Sequence, residues 1–460
     1  MHVLSGCILG SEKPDLALDV PESYRAAKAG TESARPALDW WRGFRSRELT
    51  LLMEEAQTAN LDIAVAIARI RQADAQARIV NAALLPLVDF NASATRTRRS
   101  TAGNTGGLGG SPVSSLYNVN LSASYTLDFW GRNRAALLAA DETAIATRFD
   151  RDVVALTTLA AVGNTYFLVL DSQDRLRTAR ENLAAASRIL GLIKEREQAG
   201  TASDLEVSQQ ESLVATQRAA IPPLEITLRQ SISALAVLVG RAPEHFSTAG
   251  GSTFRITVPR VAPGLPSELL NQRPDIREAE AQLRSTNFSV ESARAAFFPT
   301  ISLTGQTGFQ SPVLASLFGP GAWFYTMTAA LTQPIFDGGL LLGQLELTQG
   351  QQLAALQTYR QSVISAFRDV EQALVALQQQ TIRERLQNEV VSASRRAFNI
   401  SEQRLREGTL DLPTLLQVQQ TLFQAEDLLA QIRLARLQAV ISLYQALGGG
   451  WPPPVPGGPI

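Results

Sequence analysis

The stretch YNVNLSASYTLD, residues Tyr117 to Asp128, decides the fold. Its apolar side chains occupy every second position: Tyr117, Val119, Leu121, Ala123, Tyr125 and Leu127. The positions between them are all polar: Asn118, Asn120, Ser122, Ser124, Thr126 and Asp128. Successive side chains of an extended chain point to opposite faces, so this period of two predicts a β-strand with one apolar and one polar face.

Three further segments alternate in the same way. Leu87 to Thr97 precedes this strand, and Thr300 to Phe309 and Trp323 to Thr332 repeat the pair less regularly. Their lengths suit strands of a transmembrane β-barrel, and a half-buried sheet in a soluble protein is the alternative. Four strands cannot close a barrel, and open edges are not tolerated in lipid, so a barrel requires several copies of the chain. The alternation predicts multiples of four strands and does not give the number of copies.

The chain repeats its own plan once. Four landmarks recur in the same order, at offsets of 213, 207, 208 and 208 residues. They are Leu84-Leu85-Pro86 with Phe297-Phe298-Pro299, Phe129-Trp130-Gly131 with Phe336-Asp337-Gly338, Ala199-Gly200-Thr201 with Glu407-Gly408-Thr409, and Leu238-Val239-Gly240 with Ala446-Leu447-Gly448. Each half is therefore predicted to run helix, two strands, long helix, tight turn and return helix.

These landmarks divide the chain into six regions. In chain order we predict an N-terminal motif at residues 1–7, an N-terminal extended segment at 8–45, a first repeat at 46–240 with its hairpin at 87–128, a linker at 241–266, a second repeat at 267–447 with its hairpin at 300–333, and a tail at 448–460. The linker and the tail are both rich in Pro and Gly, which favours irregular backbone in both.

Heptad spacing of apolar residues marks the long helices. The residues are Leu356, Val363, Val370 and Leu377 in one helix, and Leu415, Leu422, Leu429 and Leu443 in the last. This spacing predicts coiled-coil packing. The 68 residues from Arg132 to Ala199 would extend roughly 100 Å as one helix. A solid coiled-coil rod has the same periodicity as a hollow helical tube, and the predicted strands favour the tube.

Leu4-Ser5-Gly6-Cys7 has the form of a bacterial lipobox. In such a motif the signal peptide is cleaved before the cysteine, which then carries a covalent lipid. Cys7 is the one cysteine of the chain, so no internal disulfide can form. Only six residues precede it, without the charged and apolar regions of a signal peptide, and a chance match is the alternative.

Composition excludes several classes of function. A net charge of -1 argues against a nucleic-acid partner, because phosphate binding requires a basic face. His2 and His245 are the only histidines and lie far apart, so neither a zinc site nor a His-activated nucleophile is expected. We therefore predict no enzyme activity, no metal and no cofactor apart from the lipid on Cys7. Val153 to Leu170 carries no charge, and we predict a buried helix segment there.

The most specific motif is LPSELLNQRPDI, residues Leu265 to Ile276. Together with Phe298-Pro299 and the PIFDGG segment Pro334 to Gly339, it resembles the TolC-like outer-membrane factors, closest to their NodT-type lipoprotein subgroup. The resemblance implies an α+β membrane protein and a homotrimer. Three chains would form a 12-stranded transmembrane β-barrel in the outer-membrane lipid and a 12-helix coiled-coil barrel across the periplasm. It also implies two protein partners, a periplasmic adaptor and an inner-membrane pump of the resistance-nodulation-division (RND) kind.

The same resemblance assigns roles to the two helix turns. Gly200, Thr201, Gly408 and Thr409 match the periplasmic tips at which the adaptor docks. The expected periplasmic gate lies beside them and comprises Asp204, Glu206, Arg406, Asp411, Thr414 and Gln417. Thr414 and Gln417 replace aspartates common in the family. We therefore expect a gate that is held less by charge and that binds divalent cations less strongly. Ordinary solvated turn residues are the alternative.

The predicted function is a passive, gated outer-membrane duct that exports small molecules such as drugs. Three alternatives remain open: a duct for protein secretion, a duct for metal efflux, and a periplasm-spanning structural coiled coil without a channel. The expected location is the bacterial outer membrane, with a lipid anchor and a large periplasmic part.

Overall fold

The computed structural model describes residues 16, 20–21, 23–25, 36–100, 113–262 and 264–449. Cys7 with its lipobox and residues 450–460 of the predicted tail lie outside these ranges. Two compact units can be distinguished, the first from Met1–Leu16, Ile70–Thr147 and Ala279–Tyr359, the second from Ala17–Arg69, Arg148–Glu278 and Arg360–Ile460. The elements follow the order α1(Arg47–Ala59), α2(Leu61–Asn81), β1(Leu87–Arg98), β2(Val113–Leu127), α3(Arg132–Gln198), α4(Asp204–Ala219), α5(Ile221–Leu238), α6(Pro266–Gln272), α7(Pro274–Ala295), β3(Thr300–Ser311), β4(Trp323–Thr332), α8(Leu340–Arg406) and α9(Leu412–Ala446).

The first unit contains one antiparallel sheet of four strands, in the order β1-β2-β3-β4. The two predicted hairpins are therefore joined edge to edge through β2 and β3. The register places Phe90 opposite Leu121, and Leu303 opposite Ala329, so apolar residues share one face throughout. This face is open to the surroundings of the chain, with Phe90 68% and Met327 84% exposed.

The polar face of the sheet carries amides and hydroxyls. The Asn91 Nδ2 donates to Ser122 Oγ at 3.0 Å and to Asn120 Oδ1 at 3.4 Å, which ties β1 to β2 above the backbone ladder. The alternation seen at Tyr117 to Asp128 therefore corresponds to two faces of opposite chemistry.

Each long helix is preceded by an aspartate that follows a strand. Asp128 accepts from the backbone N–H of Asn133 at 3.0 Å and of Arg134 at 2.9 Å. Asp337 accepts from Gly339 and Leu341, each at 2.9 Å. These carboxylates satisfy amides at the start of α3 and α8 that have no partner within the helix.

The second unit has an aromatic core. Its buried residues include Trp40, Trp41, Phe44, Leu49, Met53, Phe167, Leu170, Val440, Ile441 and Tyr444. Trp40 stacks on Tyr444 with ring centroids 4.8 Å apart, although the two residues stand near opposite ends of the chain. The N-terminal segment was predicted to be extended, but Trp40–Phe44 forms a short 3-10 helix, because burying three aromatic rings brings these residues into the core.

One described helix, α3, includes an 18-residue window apolar enough to cross a membrane by length and composition, with mean hydropathy 1.8 and half of it buried. Leu159, Phe167 and Leu170 in the predicted apolar stretch of α3 pack in the aromatic core. This packing agrees with the interpretation of Val153 to Leu170 as a buried helix segment.

The return helices of the two repeats differ. In the second repeat α9 is continuous over 35 residues, whereas in the first repeat the chain is broken at Ala220 between α4 and α5. Pro222 and Pro223 come after the break and lack the N–H groups that would continue the helix. The single return helix predicted for the first repeat is therefore two helices.

The predicted linker 241–266 is bound firmly to helices of the second unit. Thr253, fully buried, donates from its backbone N–H and its hydroxyl to Asp174 Oδ2, at 2.8 and 2.7 Å. Arg433 donates to the carbonyls of Thr253 at 3.1 Å and Ile256 at 2.6 Å, and to Glu384 at 2.9 Å. The linker is thus held from both sides through its own backbone.

Candidate functional site

Both helix turns close with the same backbone motif. At the first turn the Thr201 N–H donates to the Arg196 carbonyl at 2.8 Å, and the Gly200 N–H to that of Glu197 at 2.8 Å. At the second, Thr409 donates to Arg404 at 2.9 Å and Gly408 to Leu405 at 3.0 Å. This pair of bonds is the Schellman motif that ends helices with a left-handed residue.

Glycine is required at these turns by the backbone conformation. Gly200 has φ of +73° and Gly408 has φ of +72°, in the left-handed region. A Cβ built on either would meet no atom within 4 Å, so crowding plays no part. Thr201 and Thr409 add hydroxyl bonds of 3.0 and 3.2 Å to the carbonyls that their amides already bind. The Gly-Thr pairs therefore have a local structural role, and docking of an adaptor there stays a prediction.

Glu206 caps the helix on which it stands. Its Oε2 accepts from the Ser203 N–H at 2.8 Å and from Ser203 Oγ at 3.1 Å, while the Glu206 N–H donates to Ser203 Oγ at 3.3 Å. This is a complete capping box at the start of α4. Asp204 lies exposed in the same first turn, near the positive end of the helix dipole.

The second turn has no capping box. Asp411 occupies the position before α9 and makes no side-chain cap, and Pro413 lies in the first turn of the helix. Thr414 and Gln417 are exposed on α9. The two turns thus share a backbone motif and differ in the way the next helix begins.

Arg406 is paired along its own helix, with its guanidinium 2.7 Å from Glu402 one turn earlier. Within the part of the chain that the structure describes, no ion pair or hydrogen bond joins Arg406 to Asp204, Glu206 or Asp411. The predicted gate residues therefore occupy the two turns and do not form one cluster within a single chain.

Arg196 links the two turns and was not predicted from the sequence. Its Nη1 donates to the carbonyl of Leu405 at 3.0 Å. The repeat carried a signal for this residue, since Arg196 and Arg404 both stand four positions before the turn glycine. An apolar cluster lies next to the turns and contains Ile189, Ile193, Leu213, Leu405, Leu412 and Leu415. The turns are therefore held by packing as well as by Arg196.

A partly buried group of charges near the linker was also not predicted. Asp171 is 1% exposed, and burial raises its pKa to about 7, while nearby Arg175 opposes the shift. Arg175 forms two bonds to Asp427, at 2.7 and 3.2 Å. Asp174 lies on the same helix, so these groups share the region that binds the linker. Among the described residues no cluster of three His, Cys, Asp or Glu side chains could hold a metal ion.

Comparison with known proteins identifies the family. Residues 52–241 and 265–449 match the model for outer membrane efflux proteins. The chain is 38% identical over 441 residues to the pyoverdine export outer membrane protein OpmQ of Pseudomonas putida, covering 95% of this chain and 93% of that protein. It is 32% identical over 408 residues to the toluene efflux pump outer membrane protein TtgI, also of P. putida, covering 89% of this chain and 86% of that protein.

A solved structure shows the same fold. The open state of the Neisseria gonorrhoeae MtrE outer membrane channel matches with a TM-score of 0.85 and 29% identity, covering 96% of this chain and 97% of that one. The expected α+β fold of the TolC type is therefore confirmed, together with an outer-membrane location. The chain belongs to the outer membrane efflux protein family.

Proposed function

We propose that three copies of the chain form a passive, gated duct across the outer membrane and the periplasm. The observation that carries this proposal is the four-stranded sheet, whose apolar face is exposed and whose outer strands, β1 and β4, each have an unpaired edge. In lipid the apolar face would be covered, and both edges would have to pair with other copies. The resemblance to trimeric relatives supports three copies and 12 strands.

The duct is proposed to work without chemistry of its own, as the outer part of a tripartite system. An inner-membrane pump of the RND kind would supply the energy, and a periplasmic adaptor would contact Gly200, Thr201, Gly408 and Thr409. The two Schellman turns support this assignment, because they present exposed, rigid backbone at equivalent points of both repeats.

The gate is proposed to lie at Asp204, Glu206, Arg406, Asp411, Thr414 and Gln417. Gln417 would give a neutral ring in the trimer, so divalent cations should block wild type weakly. Gln417→Asp should introduce strong divalent block, since a ring of carboxylates binds divalent cations. Strong block of the wild-type channel would contradict this assignment.

The cargo is proposed to be a polar small molecule of the siderophore type. Two lines of support exist: 38% identity to a pyoverdine exporter, and the amides and hydroxyls on the polar face of the sheet. The relative named for toluene, at 32% identity, makes solvent export the second candidate. Complementation of strains that lack one or the other outer-membrane component separates them, because growth in toluene without siderophore export would favour the second.

The lipid anchor on Cys7 is also a proposal. The lipobox supports it, and the mass of the mature N-terminus tests it directly. Cys7→Ser should leave an unlipidated chain, and an unmodified Cys7 in protein from the native membrane would contradict the anchor.

The duct itself is tested by single-channel conductance in planar bilayers, with native mass spectrometry of the same material. Trimers that show small, stable openings would support the proposal. Inserted trimers that remain silent even when the gate is mutated at Arg406 and Asp411 would favour the structural coiled coil.

A further inference from the structure

Very few charges occur in the sheet and its two hairpin loops. In residues 87–127 and 300–336 the charged residues are Asp89, Arg96, Arg98 and Arg99. The three arginines lie together at the end of β1 that is farthest from α2. The next loop, residues 101–112, contains no Asp or Glu, and neither do β2, β3, β4 and the second loop. The charges at the far end of the sheet are therefore all basic.

Arg96 and Arg98 project from the apolar face of the sheet. Their partners on β2 are Ser115 and Val113, which continue the row that pairs Phe90 with Leu121. Since side chains alternate along a strand, Arg96 and Arg98 share a face with Phe90, and the residue between them takes the other face. Both arginines are exposed.

Their distance along β1 places them at a membrane boundary. Val88 and Arg98 are ten residues apart, about 33 Å along the strand and about 25 Å along the membrane normal at a tilt near 40°. This is the height of the apolar belt of a transmembrane barrel. Arg98 therefore lies at the boundary opposite Val88, where an outward arginine is tolerated, whereas at the mid-plane of the membrane it destabilises the barrel.

Aromatic side chains mark the same boundary on the other edge strand. Trp323 and Tyr325 stand at the start of β4, which is its far end, and are 60% and 64% exposed on the apolar face. In a closed barrel β4 of one copy pairs with β1 of the next, which brings these rings beside the arginines. Rings of this kind concentrate where the barrel meets the lipid headgroups.

Neither arginine has a counter-ion among the described residues. No carboxylate there lies within 4.0 Å of either guanidinium, and the neighbouring loop has none in its sequence. The two side chains stand about 7 Å apart on one face, the spacing of alternate strand residues. Guanidinium groups bind phosphate through paired hydrogen bonds, so two of them at headgroup level form a phosphate site.

We infer that Arg96 and Arg98 bind the phosphate groups of lipid A in the outer leaflet of the outer membrane. The inference rests on the proposed duct, whose barrel would turn its loop ends outward. The bound lipid would neutralise the basic rim and fill the headgroup zone next to Trp323 and Tyr325 of the neighbouring copy.

Thermal unfolding of the purified trimer, with and without added lipid, tests the site. Bisphosphorylated lipid A should raise the melting temperature of the wild-type trimer, and fully dephosphorylated lipid A should not. The double variant Arg96→Gln/Arg98→Gln should lose the shift. Arg99→Gln is the matched control, because it removes one neighbouring charge from the position after Arg98, and it should retain the shift that Arg98→Gln weakens.

An unchanged shift in the double variant would overturn the inference, as would equal losses in Arg98→Gln and Arg99→Gln. If phosphatidylglycerol raised the melting temperature as much as lipid A does, the assignment to lipid A would be overturned in favour of phospholipid. Native mass spectrometry confirms that each variant is trimeric. Conductance separates the two proposals: gate variants at Arg406 and Asp411 that conduct while lipid A gives no shift would overturn the lipid site alone, and silence of these variants would count against the duct.

Discussion

The capping box at Ser203 and Glu206 allows charge and helix capping to be separated in the proposed gate. Glu206→Ala removes both the carboxylate and its two bonds to Ser203, which lie at 2.8 and 3.1 Å. Ser203→Ala keeps the charge and removes the side chain of the cap. Glu206→Gln removes the charge and preserves a side chain that can complete the box.

Loss of an N-cap costs about 1 kcal/mol, which is roughly fivefold in any equilibrium that depends on the first turn of α4. We therefore expect Glu206→Ala and Ser203→Ala to raise the open probability of single channels about fivefold each, if the gate moves with this turn. Glu206→Gln should stay close to wild type. The capping explanation would be refuted if Glu206→Gln raised the open probability as much as Glu206→Ala and Ser203→Ala had no effect. The effect would then be assigned to charge.

Three further predictions concern the turns and the linker. Gly200→Ala and Gly408→Ala should each destabilise the trimer by about 1 kcal/mol, because a Cβ is strained at positive φ; equal melting temperatures of variant and wild type would contradict this. Asp171→Asn should flatten the pH dependence of stability. The pKa of Asp171 is raised from an ordinary 3.8 to about 7 in the folded chain. Between these two values the folded chain keeps a proton that the unfolded chain has lost. Wild type should thus lose stability as pH rises from about 4 to 7, by up to about 1.4 kcal/mol per pH unit. Melting temperatures of wild type and variant that change in parallel with pH would exclude the effect. Thr253→Val removes a buried hydrogen bond from the Thr253 hydroxyl to Asp174 and should destabilise the attachment of the linker by about 1–3 kcal/mol. The measurement is the rate of proteolysis within residues 241–266, which should rise, and the exposed Thr201→Val is the control.

The strands could be predicted from the sequence because their signal is local. A period of two over ten or more residues leaves little choice of conformation, and the observed β1 and β4 lie within a residue of the predicted ends. The joining of β2 to β3 could not be predicted, because Tyr125 and Leu303, which pair in the sheet, are separated by the rest of the first repeat, the linker and the start of the second repeat. Register across such a distance depends on packing that no short pattern records.

The positions of the two turns follow from the repeated Gly-Thr pairs, whereas the cap beside the first turn has a separate signal. Ser203 and Glu206 form a motif that is readable in sequence, a Ser followed three residues later by Glu at a helix start. The resemblance to a family bears on the charge of Glu206, whereas the capping box depends on the spacing of Ser203 and Glu206. The break before Pro222 also has a sequence signal, the Pro222-Pro223 pair, which the plan shared by the two repeats does not contain.

The attachment of the linker lay beyond any local signal. Asp174, Thr253 and Arg433 come from three distant parts of the chain, and each is an ordinary polar residue in its own neighbourhood. Buried polar groups of this kind are recognised only when their partners are known.

The stacking of Trp40 on Tyr444 has a consequence for how the protein is made. The ring of Trp40 stacks on Tyr444 of the last helix, so the core of the second unit cannot be completed until that helix has been made. Contacts between residues so far apart in sequence slow folding and leave apolar surface open in the meantime. Trp40 and the apolar side chains around it therefore stay accessible until the last residues of the chain have been made.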